Sequence, residues 1–371
     1  MSTFKNKHVF FIGDNDKFFA LQADSLIKKA NINASNLSVI VLRYSNKDNF
    51  DSLNKIKGIS YTRYNENLIP SIAQAKTLTS MSLSSKNAWL LRKLLDFSPT
   101  LKEKLYIFIT DDEVERWNNI YKKHGKLIAS TTLVSNDDIS VLKEIKYFIA
   151  NKKTFEPIIT KILQRQVSFI DCNIIFDILP TDEHKKLASV LLKIKPKKEK
   201  LKILYGSKKG LPKKSIFDFY TLCSKIISPN KELEFIIFSQ PLRKKILIAL
   251  IIFILKLIKN KKITIHHLHP VDSLTYMVII MSCTHIILQA RGGASTARTY
   301  AKLGRGALCI EDKTHNSYFF ENAYNINILK YDSIEKLAHQ ISNEYSNAET
   351  NQHQLEVDEL KSLQRFKELY N

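Results

Sequence analysis

Two glycines and a pair of hydroxyl residues stand together in "RGGASTARTYAKLG", residues 291–304. An apolar strand-like run, "HIILQA", precedes them and a helix-like run follows. Gly292 and Gly293 predict a turn with positive φ or a close backbone approach, and Ser295 is expected to be the N-cap of the helix. The stretch indicates either plain helix punctuation or a phosphate site, because free N–H groups at a helix N-terminus bind anions. In the second case Ser295 and Thr296 hold the phosphate of a nucleotide.

Basic side chains could complete such a phosphate site. Arg291 and Arg298 lie on either side of the hydroxyl pair and could donate to phosphate oxygens. The run "HHLHP", residues 266–270, places three histidines at the end of a second predicted strand. Pro270 is expected to end the strand and aim His269 outward, where it could stabilise a leaving phosphate or act as a general acid. Histidines without a chemical role and a zinc site are the alternatives, and the zinc site is the weaker one.

Two adjacent carboxylates occur in "ITDDEVERW", residues 109–117. Asp111 and Asp112 repel each other, so the pKa of one is expected to rise and one could serve as a base. The same letters also predict a helix N-terminus, with Thr110 or Asp111 as the N-cap.

Strands that alternate with helices must position these residues. The predicted strands of the first half include "KHVFFIG", "LSVIVL" and "KLYIFIT", and those of the second half are "LKILYG", "LEFIIF", "KITIHH", "HIILQA" and "ALCIED". The alternation predicts parallel sheets covered by helices on both faces. Ligands bind at the carboxyl ends of such strands, which selects "TDDE", "HLHP", "RGGAST" and also "GDND". The last supplies Asp14 and Asp16 as the next candidates for a base.

A polar lysine-proline stretch, "KIKPKKEK", divides the chain. It predicts a linker at 193–200 between two α/β domains that face a cleft, at 1–192 and 201–345, followed by a helical tail at 346–371. The four cysteines are widely spaced and form no CxxC, so we expect reduced thiols and no metal site. The N-terminal letters contain no apolar signal segment, so we expect a cytoplasmic protein.

The formal net charge of +21 indicates an anionic partner or a solvated basic surface. Nucleic acid, an anionic membrane surface and phosphorylated substrates all carry suitable charge. The apolar segment "ILIALIIFILKLI", residues 246–258, is interrupted by Lys256 and is too short to span a bilayer. It predicts a core helix of an α/β domain, or a helix that lies on the inner face of the cytoplasmic membrane with its cationic flanks on acidic headgroups.

The acid pair, the His-Pro pair and the Ser-Thr pair occur in an order that resembles a known family. They are similar to the motifs of bacterial GT-B glycosyltransferases that use CMP-activated sugars, namely sialyltransferases, polysialyltransferases and nonulosonate or Kdo transferases. The resemblance implies Asp112 as the base and His269, Ser295 and Thr296 as residues that bind the donor phosphate. Glu113 departs from the pattern, because that family usually has glycine after the acid pair.

The resemblance also implies a fold and a reaction. It implies two Rossmann-like domains facing a cleft, an acceptor-binding domain at 1–192 and a nucleotide-sugar-binding domain at 201–345. The reaction is an inverting transfer of a nonulosonic acid from a CMP-sugar to a glycan or glycolipid of the bacterial surface, with no metal or other cofactor and no nucleic acid. The helix "STARTYAKL" has no acid to hold a ribose, which favours CMP over UDP in such enzymes. The alternatives are a GT-B enzyme that uses a UDP-, GDP- or dTDP-sugar, a polyol-phosphate transferase, and a non-enzymatic basic protein that binds membrane or nucleic acid.

Overall fold

The chain forms two compact units. The computed structural model describes residues 4–44, 48–130, 133–173, 177–191, 200–207, 210–212, 216–226, 232–259, 262–343 and 348–371. One unit consists of Met1–Phe176 with Glu359–Asn371, and the other of Asp177–Asp358. Each contains one parallel sheet and the helices that connect its strands. The prediction of two Rossmann-like α/β domains is therefore confirmed.

The first unit is built on a sheet with the strand order β3-β2-β1-β4-β5-β6-β7. Its strands are β1 (His8–Gly13), β2 (Leu37–Leu42), β3 (Ser60–Arg63), β4 (Thr77–Met81), β5 (Leu105–Phe108), β6 (Tyr147–Ala150) and β7 (Ser168–Asp171). Its α-helices are α1 (Phe19–Lys28), α2 (Ile69–Ile72), α3 (Ala88–Phe97), α4 (Asp112–His124), α5 (Asn136–Glu144) and α6 (Lys152–Leu163), and short 3₁₀ helices occupy Ala34–Asn36, Glu66–Leu68 and Pro99–Glu103. Strands β1 and β2 are buried along their whole length, as continuous apolar runs in a parallel sheet are.

The second unit repeats this plan with the order β10-β9-β8-β11-β12-β13. Its strands are β8 (Lys200–Tyr205), β9 (Glu232–Phe238), β10 (Ile263–Leu268), β11 (His285–Ile287), β12 (Ala307–Glu311) and β13 (Leu329–Tyr331). Its helices are α7 (Thr181–Leu191), α8 (Ile216–Lys225), α9 (Leu242–Lys259), α10 (Ser273–Met281), α11 (Ala294–Lys302), α12 (His315–Ala323) and α13 (Ile334–Asn343). Helices α8, α9 and α13 share one apolar core, whereas α10, α11 and α12 share another. The two cores cover opposite faces of the sheet.

The units divide earlier than the predicted linker at 193–200, most of which lies outside the described residues. The division falls between Phe176 and Asp177. The carboxylate of Asp177 is buried and lies 3.3 Å from Arg298 Nη1 and 3.3 Å from Lys302 Nζ. A buried carboxylate needs a cationic partner, so the segment that leads into α7 is held by the second unit rather than by the first.

The predicted tail at 346–371 is not a separate segment, because its residues belong to the two units. Helix α14 (Ala348–Tyr370) starts in the second unit, where Leu355 is buried in the core that α10, α11 and α12 share. Its last residues belong to the first unit, where Phe366 and Tyr370 are fully buried against β1 and β5. The Tyr370 hydroxyl also lies 3.1 Å from Thr79 Oγ1. The final turns of α14 are therefore core of the first unit.

Candidate functional site

The strand order of the second sheet reverses between β8 and β11. The chain builds outward from β8 to β10 on one side and then from β11 to β13 on the other. Open parallel sheets bind ligands in the crevice outside the carboxyl ends of the strands at such a point. The residues that follow these two strands are Gly206 and Ser207 after β8, and the segment 288–293 after β11. The Gly206 N–H donates to Ile287 O at 2.9 Å, which joins the two loops where they begin.

The predicted glycine turn lies at this point. Gly292 and Gly293 have φ angles of 82° and 79°, in the left-handed region that favours glycine. A Cβ on Gly293 would lie 2.9 Å from Ser207 Cβ and closer still to Ser207 Oγ. Gly293 is therefore required twice, by its backbone conformation and by the approach of the loop after β8.

Helix α11 begins directly behind the turn. Its N-cap is Gly293, with no side chain capping it among the described residues, so the prediction of Ser295 as N-cap is wrong. The left-handed glycine lets the helix start earlier, and the first N–H that bonds within it is that of Ala297, to Gly293 O at 3.0 Å. The preceding N–H groups have no acceptor inside the helix. Ser295 is half-buried and Thr296 is buried beside them, so the structure brings the predicted hydroxyl pair to a helix N-terminus.

Two buried amide side chains hold the turn in place. Gln289 Oε1 accepts the N–H of Ser207 at 3.0 Å and its hydroxyl at 3.1 Å. Asn316 Nδ2, at the start of α12, donates to Gln289 O at 2.8 Å and to Gly292 O at 2.9 Å. These bonds connect the loops after β8 and β11 to α12, which makes the site preorganised rather than dependent on a ligand.

A tyrosine from α10 completes this network. The Tyr276 hydroxyl donates to Ser207 O at 3.2 Å and lies 3.3 Å from Thr296 Oγ1. Burial raises the pKa of Tyr276 to about 12, so the hydroxyl stays protonated. Ser207, Gln289 and Tyr276 are not among the site residues predicted from the sequence. The letters "YGSKKG" at the end of β8 could have indicated Ser207, because a glycine and a hydroxyl residue follow a strand there as well.

The two predicted arginines occupy different positions. Arg291 is half-buried at the start of the glycine turn. Arg298 is only 4% exposed and pairs with the buried carboxylate of Asp177. It lies in the second turn of α11, past the free N–H groups, and its charge is matched inside the protein. The structure therefore places Arg298 in an internal ion pair rather than at the predicted phosphate position.

The three histidines do not converge. His266 Nε2 lies 3.4 Å from Glu234 Oε1 on the neighbouring strand β9, whereas His267 points to the opposite face of the sheet. Burial, with the nearby Lys245 and His269, lowers the pKa of His267. His269 and Pro270 are exposed beyond the end of β10. Strands β9 and β8 separate β10 from β11, so the two strand ends are about 14 Å apart. The role of His269 at a phosphate stays a prediction.

The acid pair lies at the start of α4 in the first unit. Asp111 precedes the helix with a φ of 97°, and Asp112 is its first, exposed residue. Glu113 is fully buried and accepts the N–H and the hydroxyl of Thr110, each at 2.9 Å. Burial raises the pKa of Glu113 to about 6. Glu113 is therefore the buried, backbone-bound carboxylate of this segment, and the assignment of Asp112 as base stays a prediction.

The next candidates, Asp14 and Asp16, are both bound to the backbone. Asp14 is buried and accepts the N–H of Tyr44 at 3.0 Å. Asp16 accepts the N–H groups of Phe18 and Phe19 at 2.9 Å and 2.6 Å, at the start of α1. These contacts give each carboxylate a structural role at the end of β1.

Comparison with known proteins shows the fold. No protein-family model matches this sequence, and no curated protein is significantly similar to it. The N-terminal domain of Candida albicans trehalose-6-phosphate phosphatase is 8% identical, with a TM-score of 0.55 over 98% of this chain and 95% of that one. Medicago truncatula UGT71G1 complexed with UDP-glucose is 10% identical, with a TM-score of 0.53 over 98% of both chains. A glycosyltransferase from Rickettsia africae is 12% identical, also with a TM-score of 0.53 over 98% of both.

These likenesses cover both units of the chain. Together with the two sheets they confirm the fold class that the sequence predicted, two Rossmann-like domains of the GT-B type. At these identities the likeness is one of fold, and a fold of this kind carries many reactions.

Proposed function

We propose that the protein is a glycosyltransferase that uses a nucleotide-sugar donor, with a UDP-sugar as the first candidate. One observation carries the proposal: the N-terminus of α11, which no described side chain caps, directly follows two left-handed glycines at the point where the strand order of the second sheet reverses. Backbone N–H groups and a helix dipole at such a place favour a phosphate. The solved UGT71G1 and Rickettsia proteins support the choice, because the first is complexed with UDP-glucose and the second is a glycosyltransferase.

The chemistry follows from where charge develops. An acceptor hydroxyl oxygen forms a bond to the anomeric carbon as the bond from that carbon to the donor phosphate breaks. The departing nucleotide gains negative charge, which the α11 N–H groups, Ser295, Thr296 and the half-buried Arg291 would stabilise. The proton of the acceptor goes to a base, and Asp112 is the proposed base. These groups offset the charge without a metal, so the proposal includes none.

A CMP-sugar is the second candidate donor. Helix α11 has no acidic side chain along Ala294–Lys302, which is the observation that favours CMP in the resemblance to sialyltransferases. The acceptor is proposed to be a glycan or glycolipid hydroxyl of a bacterial surface polysaccharide. A polyol-phosphate donor would use the same N–H groups, because its leaving group is also a nucleotide phosphate.

Nucleotide binding tests the proposal directly. Thermal unfolding with UDP, CMP and GDP should show stabilisation by one of them, and hydrolysis of UDP-glucose or a CMP-sugar should follow the same preference. The double change Ser295→Ala and Thr296→Ala should weaken nucleotide binding by about 1–3 kcal/mol. Ser189→Ala is the matched control, because Ser189 is exposed on α7 and lies at no strand end. The proposal fails if no nucleotide stabilises the protein, or if the double variant binds as tightly as the control.

A further inference from the structure

Helix α9 exposes most of its apolar side chains. Only Ile248, Ile252 and Leu255 are buried, and they face the core shared with α8 and α13. Five large residues on the other side form what we call the α9 stripe: Leu242, Ile246, Leu250, Phe253 and Leu257, which are 72%, 58%, 52%, 63% and 75% exposed. The prediction of a core helix therefore holds for one narrow face of α9 only.

The stripe is continuous along the helix. Its members recur at intervals of three or four residues, so at about 100° per residue they fall within about 80° of the helix circumference. From Leu242 to Leu257 the stripe is about 22 Å long at 1.5 Å per residue. Leu247 and Ile258, which are 45% and 71% exposed, extend it on one side. An exposed apolar surface of this extent marks an interaction site rather than ordinary surface.

The charged residues of α9 are all positive. Helix α9 contains no acidic residue, and Arg243, Lys244, Lys245, Lys256 and Lys259 lie in its first and last turns. Within the part of the chain that the structure describes, no carboxylate forms an ion pair with Arg243, Lys244 or Lys256. The chain as a whole carries a formal net charge of +21. This pattern complements a partner that has an anionic surface over an apolar interior.

We propose that α9 docks this protein on an anionic lipid bilayer. The stripe enters the boundary between headgroups and acyl chains, and the cations at the two ends of the helix contact lipid phosphates. The helix lies along the surface and does not cross it: none of the described helices has the length and apolarity that a membrane span requires. The proposal rests on α9 alone and is independent of the donor that binds at the α11 site, which we define as the turn at Gly292 and Gly293 with the N-terminus of α11.

Flotation with vesicles tests the docking. The full chain should float with vesicles of phosphatidylcholine and phosphatidylglycerol, bind pure phosphatidylcholine vesicles much less, and be released as salt screens the charges. Leu250→Glu should reduce binding at least about tenfold, because it places a charge in the apolar stripe. Leu360→Glu is the matched control, since Leu360 is 67% exposed on α14, and it should bind like the parent. The double change Lys244→Glu and Lys256→Glu should remove the preference for the anionic vesicles.

Insertion itself is read from a fluorescent probe that keeps the stripe apolar. In Phe253→Trp, vesicle binding should shift the emission of the new tryptophan to the blue and brominated lipids should quench it, measured against the signal of the native Trp89 and Trp117 in the parent. Leu360→Trp should show neither change. Absence of vesicle binding, equal binding to neutral and anionic vesicles, or an unquenched probe would overturn the proposal. A dimer in light scattering that Leu250→Glu dissociates, without any vesicle binding, would instead assign the stripe to a second copy of the chain.

Discussion

Gly293→Ala is the change that examines the construction of the α11 site most sharply. Gly293 has a φ of 79°, and an added methyl group would meet Ser207. The new residue would therefore meet two separate costs, one from its own backbone and one from its neighbour. Ser207 cannot simply move away, because its N–H and its hydroxyl are both bound to Gln289 Oε1.

The two costs have different sizes. A left-handed backbone costs a non-glycine residue about 1–2 kcal/mol. Displacing Ser207 loses its bond to Gln289, which is worth about 0.5–1.5 kcal/mol. We expect Gly293→Ala to lower the free energy of unfolding of the second unit by about 1.5–3.5 kcal/mol, the sum of the two costs. Gly210→Ala is the control, because Gly210 has a φ of 97° and no described atom lies within 4 Å of an added Cβ. It should show the backbone cost alone.

Calorimetry of the full chain measures both variants. A change of 1 kcal/mol shifts the Tm of a domain of this size by about 2–4 °C, so Gly293→Ala should lower the second unit's Tm by roughly 3–14 °C. Both tryptophans, Trp89 and Trp117, lie in the first unit. Tryptophan fluorescence should therefore report an unchanged transition in both variants, which identifies the unit that each change affects.

A third variant decides whether the contact with Ser207 is real. In a Ser207→Ala background the hydroxyl is already gone, so Gly293→Ala should cost about 0.5–1.5 kcal/mol less than it does in the parent. If Gly293→Ala costs no more than Gly210→Ala, and the same in both backgrounds, then the loops after β8 and β11 do not approach each other as described. The preorganised phosphate site would then lose its structural basis.

Three further outcomes are expected. Asp112→Asn should fold normally, bind nucleotide and lose transfer by about 10²–10⁴-fold in a single-turnover assay, whereas Asp111→Asn should lose less; activity near that of the parent in both variants would place the base elsewhere. Burial raises the pKa of Glu113 from 4.5 to about 6, so the stability tied to its protonated form is present at low pH and is lost as pH rises through 6. In urea titrations the free energy of unfolding of Glu113→Gln should therefore exceed that of the parent by up to about 2 kcal/mol at pH 7.5, and this difference should disappear below pH 4.5. Phe366→Ala should lower the unfolding free energy of the first unit by about 3–5 kcal/mol, seen by tryptophan fluorescence, and an unchanged value would contradict the docking of α14.

The sequence was sufficient for the fold class because the patterns that indicate strands and helices are both local. Apolar runs such as those of β1 and β2 stand out from the amphipathic helices between them, and the alternation predicts parallel sheets. It was also sufficient for the turn at Gly292 and Gly293, since two glycines before a helix indicate a positive φ. The helix start was predicted less well. Ser295 is the better N-cap by side chain, but the backbone of Gly293 begins the helix earlier.

The local sequence alone thus determined the alternating strands and helices, the glycine turn and the hydroxyl pair beside it. Only the tertiary structure decided that Ser207 meets Gln289, because the pairing of β8 with β11 joins segments that are far apart in the chain. It also decided that Arg298 pairs inward with Asp177 rather than facing a ligand. It decided, finally, that α9 leaves an apolar stripe exposed, since the letters of an apolar helix do not say which face meets the sheet. Strand order and side-chain burial depend on long-range contacts, and no pattern of neighbouring residues encodes them.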